Sequence, residues 1–110
     1  MTYFKFNYKN KNFNIKVKEC KSFFSKVSGL MFRKKSPPLL FYFGKPRRYR
    51  IHSFFCRHFV AVWFNGNKIV DEKFVKPWIF WIQPKEKFDK LLEIPSNNPI
   101  FNDFPDEAKV

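Results

Sequence analysis

Cysteine, glycine and long apolar runs are all scarce in this chain of 110 residues. The two cysteines, Cys20 and Cys56, lie far apart, and we expect reduced thiols rather than a disulfide. With only three glycines, the chain has no glycine-rich loop for phosphate groups. Apolar stretches end well short of the roughly 20 residues that a spanning helix needs. Residues 1–13 also lack the apolar segment of a signal peptide, so the sequence predicts a cytoplasmic protein without a transmembrane segment.

Acidic residues are almost missing from the first half of the chain. Residues 1–50 hold 14 Lys or Arg and a single acid, Glu19, whereas residues 51–110 hold eight of each sign. The whole net charge of +13 therefore belongs to the first half. Such a one-sided charge attracts polyanions, which makes RNA, DNA or another polyanion the expected partner. Lys, Asn and Phe are also the residues that an A/T-rich genome favours through its codons, so compositional drift remains an alternative.

The apolar pattern predicts an α+β fold: a compact, mostly antiparallel β-sheet or partly closed barrel with one clear α-helix packed on it. Alternating aromatic and polar residues over 3–18 indicate a β-hairpin with a turn near residues 10–12. From Ser22 the apolar residues change to a helical period, which predicts a helix ending near Arg33.

Further strands are predicted beyond the two prolines at positions 37 and 38. "LLFYF", "FVAVWF" and "KIVDEKFV" are typical of buried or half-buried strands, and "NG" between the last two is a strong hairpin signal. "KEKFDKLLEIP" fits a helix or a strand equally well. We expect residues 1–95 to form a single β-rich domain and residues 96–110, which are rich in Pro, Asn and acids, to form a C-terminal tail.

"IHSFFCRHF" brings two histidines and a cysteine close together in sequence, as His52, Cys56 and His58. On a strand His52 and Cys56 would lie about 13 Å apart, too far to share a metal ion, and two ligands do not make a zinc site. A free cysteine among aromatic residues usually behaves as a small buried hydrophobe. No metal, cofactor or catalytic residue is therefore expected, and a Cys–His hydrolase is only a distant alternative.

The string Gly-Leu-Met-Phe-Arg at residues 29–33, followed by "IHSFF" and the hairpin around "FNGN", resembles an uncharacterised bacterial and archaeal family, domain of unknown function number 192. The resemblance covers roughly residues 13–95 and implies a compact β-rich α+β domain without an established activity. The chain departs from the family pattern at Cys56, where a methionine is usual, and at Ala61, where an aspartate is usual. A site that uses this aspartate in relatives would be altered here.

Two functional hypotheses follow, and both make the protein a binding module rather than an enzyme. The first is a noncatalytic or accessory module for an unidentified ligand. Its pocket would involve polar and aromatic residues at the family-like positions: Arg33, His52 and Phe54.

The second hypothesis is salt-sensitive, weakly selective nucleic-acid binding through the basic N-terminal half. In it, the turn "GKPRRYR" contacts phosphates and stacks on a base. The residues concerned are Lys45, Arg47, Arg48, Tyr49 and Arg50. Exposed strand lysines at positions 5, 9, 16 and 18 would extend this surface. The sequence does not predict the oligomeric state.

Overall fold

The computed structural model describes residues 2–20, 37–48, 58–76, 78–79 and 82–103. Over these residues the chain forms six strands: β1 (Thr2–Tyr8), β2 (Lys11–Cys20), β3 (Leu39–Arg47), β4 (Phe59–Asn65), β5 (Lys68–Val75) and β6 (Phe88–Pro95). The only helical segment in this part of the chain is a short 3-10 helix, Pro99–Asp103.

The predicted α+β class is wrong for the part of the chain that the structure describes, because it is nearly all β. The ambiguous segment around residue 90 forms strand β6. Both of its faces carry buried apolar residues, which belong to two separate cores. The predicted helix over 22–33 lies outside the described residues.

All six strands join one sheet in the order β1-β2-β3-β6-β4-β5. Neighbouring strands are antiparallel except β2 and β3, which pair in parallel from Lys18 opposite Leu39 to Cys20 opposite Phe41. A parallel pair needs a long crossover connection, and here residues 21–38 provide it. The two hairpins, β1–β2 and β4–β5, lie at opposite ends of the strand order.

Both hairpins have two-residue turns. In β1–β2 the turn residues are Lys9 and Asn10, with φ of 50° and 65°, as a type I′ turn requires. This turn lies one residue earlier than the sequence pattern indicates. In β4–β5 the predicted hairpin is confirmed, but Gly66 and Asn67 are the central pair and only Gly66 has a positive φ, 63°.

The sheet is strongly curled, so that the β1–β2 hairpin packs across strands β4 and β6. The Phe4 and Phe6 rings of β1 meet the Phe64 ring of β4 edge-on, with centroids 5.2 Å and 5.5 Å apart. Three other strands separate β1 from β4 in the sheet order, so these contacts exist only because the sheet bends back on itself. This core includes eleven buried residues, among them Val17, Leu40 and Leu92.

A second core covers the opposite side of β4 and β6. Trp63, Phe59 and Phe88 are completely buried in it, and the Trp63 and Phe88 rings pack edge-on at 6.3 Å. Residues 59–64 of β4 are therefore buried on both faces. This explains why they form a continuous apolar run rather than an alternating one.

The beginning of the segment interpreted as a tail packs on the sheet. The 3-10 helix places Phe101 against Phe74 of β5, with ring centroids 5.6 Å apart. Ser96 donates a backbone hydrogen bond of 3.1 Å to the carbonyl of His58. Residues 96–103 are thus fixed to the sheet.

Candidate functional site

The outer side of the β1–β2 hairpin is a polar, basic surface, which we call the hairpin face. It exists because the aromatic residues at the inward positions of the alternating pattern, such as Phe6 and Phe13, point to the core. Two rows of exposed residues stand on it, one from each strand. The rows are Tyr3, Lys5 and Asn7 on β1, opposite Lys16, Asn14 and Asn12 on β2.

Tyr3 is the most exposed large apolar side chain of the described residues, with 65% of its surface accessible. It lies directly opposite Lys16 in the strand register and two residues from Lys5 on the same side of β1. Cross-strand neighbours stand about 5 Å apart, so the phenol ring has a lysine on two sides. An exposed aromatic ring between lysines is the arrangement that proteins use to stack a base beside its phosphate.

The lysines of this surface are not used for internal ion pairs. Lys5, Lys16 and Lys18 are exposed, and their side chains form no hydrogen bond or ion pair within the described ranges. Lys9 and Lys11 stand over the rings of Tyr8 and Phe13, at 5.6 Å and 5.2 Å from the ring centroids. Residues 2–18 contain five lysines and no acid, so the hairpin itself contributes positive charge only.

The nearest acid in sequence, Glu19, is turned to internal contacts. Its Oε1 accepts a hydrogen bond of 3.2 Å from the Thr2 hydroxyl. Burial, followed by a hydrogen bond to Glu19 and the negative charge of its carboxylate, raises the pKa of Tyr42 to about 12. The carboxylate therefore interacts with two hydroxyl groups while the lysines remain exposed.

An open concavity of about 460 Å³ adjoins the hairpin face near its turn. Its lining combines amide side chains, from Asn7, Asn12 and Asn14 of the hairpin and Asn67 of the β4–β5 turn, with Lys5 and the rings of Phe6 and Phe13. Asn7 donates a hydrogen bond of 3.0 Å to Asn12, which leaves the Asn7 oxygen and the Asn12 amide hydrogens available. The concavity thus presents donors and acceptors side by side.

The acids of β5 and β6 form structural hydrogen bonds instead of balancing the hairpin. The carboxylate of Asp89 accepts from the backbone of Gly66 at 3.2 Å and 3.3 Å. Asp71 accepts from the backbone N–H groups of Glu72 and Lys85, both at 2.9 Å. These bonds fix the β4–β5 turn and the segment before β6.

Of the predicted phosphate-contacting turn, Lys45, Arg47 and Arg48 are described and exposed. They lie beyond the parallel pairing of β2 with β3, and Lys45 is about 20 Å along β3 from Leu39, the partner of Lys18. The fold therefore separates these described cations from those of the hairpin. Arg48 also has a structural contact, since its Nε donates to the carbonyl of Pro84 at 2.9 Å and its own carbonyl accepts from Gln83 at 2.6 Å.

The pocket residues predicted at Arg33, His52 and Phe54 lie outside the described residues, as do Tyr49, Arg50 and Cys56. They stay predictions. His58 is described; it is exposed, and its ring packs on Phe74 with centroids 5.3 Å apart. Within the described ranges no group of three potential metal ligands occurs. No helix found there is both long and apolar enough to cross a membrane.

Two buried polar groups lie on the second core's side of the sheet. Glu93 is 7% exposed, and burial raises the pKa of its carboxyl to about 8. The indole Nε1 of Trp63 is buried without a hydrogen-bond partner among the described residues. Glu93 pairs with Ala61, two residues from Trp63 on β4, so both groups are on one side of the sheet.

Sequence reasoning missed Tyr3 and the asparagines of the hairpin face. The sequence did carry a signal for Tyr3 and Asn7. Alternate residues of a strand share one face, so residues 3, 5 and 7 lie together on the polar side of β1. The contribution of Asn67 had no such signal, since it depends on how the two hairpins approach each other.

A curated relative from the archaeon Pyrococcus furiosus, a UPF0127 protein, is 35% identical over 91 residues, which span 79% of this chain and 78% of the relative. The chain belongs to the UPF0127 family. This family is uncharacterised, and the family number expected from the sequence is not established by the match. No protein-family model matches the chain.

Two solved structures share the fold of this UPF0127 protein. A protein of unknown function from Novosphingobium aromaticivorans has a TM-score of 0.74 at 11% identity, covering 83% of this chain and 70% of that one. A candidate transcription regulator from Sinorhizobium meliloti has a TM-score of 0.72 at 17% identity, covering 86% and 83%. At these identities the likeness shows the fold alone.

Proposed function

We propose that this UPF0127 protein is a noncatalytic binding module whose ligand is nucleic acid, bound in a salt-sensitive and weakly selective way through the hairpin face. The observation that carries the proposal is an exposed tyrosine beside three exposed lysines, Lys5, Lys16 and Lys18, whose side chains have no partner among the described residues. The cytoplasmic location expected from the sequence belongs to the same proposal.

Charge decides which class of ligand fits this surface. Lys5, Lys16 and Lys18 keep their charge free for a ligand, whereas Glu19, Asp71 and Asp89 are engaged in hydrogen bonds. Phosphates that displace counterions from such a surface give binding that weakens steeply with salt. The amide-rich, weakly apolar character of the hairpin face favours nucleic acid over an acidic protein, whose interfaces carry a more apolar centre.

The description of the Sinorhizobium meliloti protein as a candidate transcription regulator is compatible with this ligand. The proposal rests on the surface of this chain and not on that description. A ligand pocket around Arg33, His52 and Phe54 stays a prediction, because no described contact bears on it.

The test is a titration of a labelled 12-nucleotide single strand across a salt series, read by fluorescence anisotropy. We expect Lys5→Gln with Lys16→Gln to reduce the slope of log K against log salt by about 1.4, because each phosphate contact on a single strand contributes about 0.7. The matched control is Lys85→Gln with Lys87→Gln, which removes the same charge from exposed positions outside the hairpin.

A third variant, Lys45→Gln with Arg47→Gln, tests the cluster at the end of β3. A loss of affinity confined to this variant would move the proposed interface from the hairpin face to the predicted turn. No binding by the unmodified protein at low salt, or an equal loss in the Lys85/Lys87 control, would overturn the proposal.

A further inference from the structure

The exposure of Tyr3 has no explanation in the folding of the sheet. The other aromatic residues of β1 and β2, namely Phe4, Phe6, Tyr8 and Phe13, pack in the core, whereas Tyr3 points outward and makes no ring contact within the described residues. Its position between Lys5 and Lys16 places an aromatic face within the same surface as the phosphate-binding charges. Lysine alone would suffice for phosphate, so the ring indicates a ligand with flat groups to stack.

The asparagine-lined concavity is the second observation, and it is independent of the first. Amide groups bind the edges of nucleobases because they offer a donor and an acceptor at the right separation. Asn7 and Asn12 are joined by one hydrogen bond, which leaves the Asn7 oxygen and the Asn12 amide hydrogens unused by that bond. A volume of about 460 Å³ lies within the range of small-ligand sites and accommodates a base.

Base edges and faces are accessible together only when the strand is unpaired. In a duplex the faces are stacked on one another and the pairing edges are occupied, whereas loops and single strands expose both. A sheet surface with aromatic residues that stack bases is a known solution for single-stranded ligands.

We infer that the hairpin face binds single-stranded nucleic acid, with one base stacked on Tyr3 and another base of the same strand held at the concavity that Asn7, Asn12, Asn14 and Asn67 line. This inference rests on the proposed function and specifies its ligand. Lys5 and Lys16 contact the phosphates, and Tyr3 distinguishes a strand with bases from a bare backbone.

The experiment compares a 12-nucleotide thymidine strand with an abasic strand of the same length, at constant salt. We expect the protein to bind the thymidine strand about tenfold more tightly, since stacking of one base contributes at least that much. Tyr3→Ala should reduce the preference several-fold and leave the affinity for the abasic strand unchanged. Tyr3→Phe should keep it, because the ring is retained.

Two further measurements distinguish a loss of base recognition from a loss of folding or of phosphate binding. Thermal unfolding of Tyr3→Ala should match that of the unmodified protein, because the side chain is exposed and packs on nothing described. Asn12→Ala with Asn14→Ala should reduce the preference for bases several-fold while keeping the salt dependence.

Equal binding of thymidine and abasic strands would overturn the inference and leave the proposed function intact, since phosphate alone would then be recognised. A preference that Tyr3→Ala leaves undiminished would also overturn it, by placing the bases elsewhere. Failure of both strands to bind at low salt would overturn the proposed function and this inference together.

Discussion

The hydroxyl of Tyr8 lies 3.4 Å from Oε1 of Glu72 and joins the two edge strands of the sheet, β1 and β5. These strands stand at opposite ends of the strand order, so the contact closes the curl. Tyr8 is also buried, with 5% of its surface exposed. The β1–β2 hairpin is thereby tied to β5 as well as packed on Phe64.

We predict that Tyr8→Phe lowers the free energy of unfolding by about 1 kcal/mol, since it removes one hydrogen bond and keeps the packing of the ring. Tyr8→Ala should cost about 3 kcal/mol or more, because it leaves a cavity in the core. Urea denaturation measures both. Tyr3→Phe is the control. A loss of stability in this variant as large as in Tyr8→Phe would contradict the assigned role of the Tyr8 hydroxyl.

Glu93 predicts a specific pH dependence of stability. Burial raises the pKa of its carboxyl from 4.5 to about 8 in the folded protein. Between these values the unfolded chain releases the proton while the folded chain keeps it, so the free energy of unfolding falls as pH rises. Above about pH 8 the folded form ionises as well and the fall ends.

The comparison variant is Glu93→Gln, which stays neutral at every pH. We expect the two proteins to be similar near pH 4, and the variant to become more stable by an order of a few kcal/mol by pH 8. Denaturant midpoints across pH 4–9 measure the difference, in which the other carboxyl groups cancel. A difference that is constant with pH would show that the carboxyl titrates normally.

Trp63 combines complete burial with an indole N–H that has no partner among the described residues. We predict that Trp63→Ala lowers the free energy of unfolding by about 3–5 kcal/mol, because a large side chain is lost from the core. Trp63→Phe should cost much less, about 1 kcal/mol, since removal of the unpaired donor offsets part of the lost packing. Equal losses for the two variants in urea denaturation would indicate that the N–H is satisfied.

Glycine is favoured at position 66 by the backbone conformation and not by a lack of space for a side chain. Its φ is 63°, and a Cβ added there would meet no atom within 4 Å. Gly66→Ala should therefore cost about 1 kcal/mol from backbone strain alone. Gly44 in β3 is a matched control, because a Cβ there is equally unhindered and its φ lies outside the positive range. Gly44→Ala should leave the melting temperature unchanged or slightly raised.

Local patterns predicted most strands because a strand with one buried face alternates apolar and polar residues. This alternation can be seen in a short stretch of sequence. The β1–β2 hairpin, the burial of residues 39–41 and the β4–β5 hairpin all follow from such patterns. The turn at Lys9–Asn10 was misplaced by one residue, because Asn10 and Asn12 are equally good turn residues and only strand pairing decides between them. The predicted α+β class is wrong for the described residues, which are nearly all β, and the helix on which it rested, over residues 22–33, lies outside them. The segment of β6 stayed ambiguous in sequence because it has apolar residues on both faces, a pattern that also fits a helix.

The sequence by itself determined that the positive charge belongs to the first half and that the hairpin lysines face away from the aromatic residues. It could not determine that the curl brings Phe4 to Phe64, Tyr8 to Glu72 and Asn67 to the hairpin asparagines. It also gave no sign that Glu93 would be buried between Leu39 and Ala61. These relationships join residues 50 or more positions apart, or strands out of chain order, and they arise from the strand order and the bending of the sheet. Tertiary packing alone decided them, because no local preference of the chain specifies which strands become neighbours.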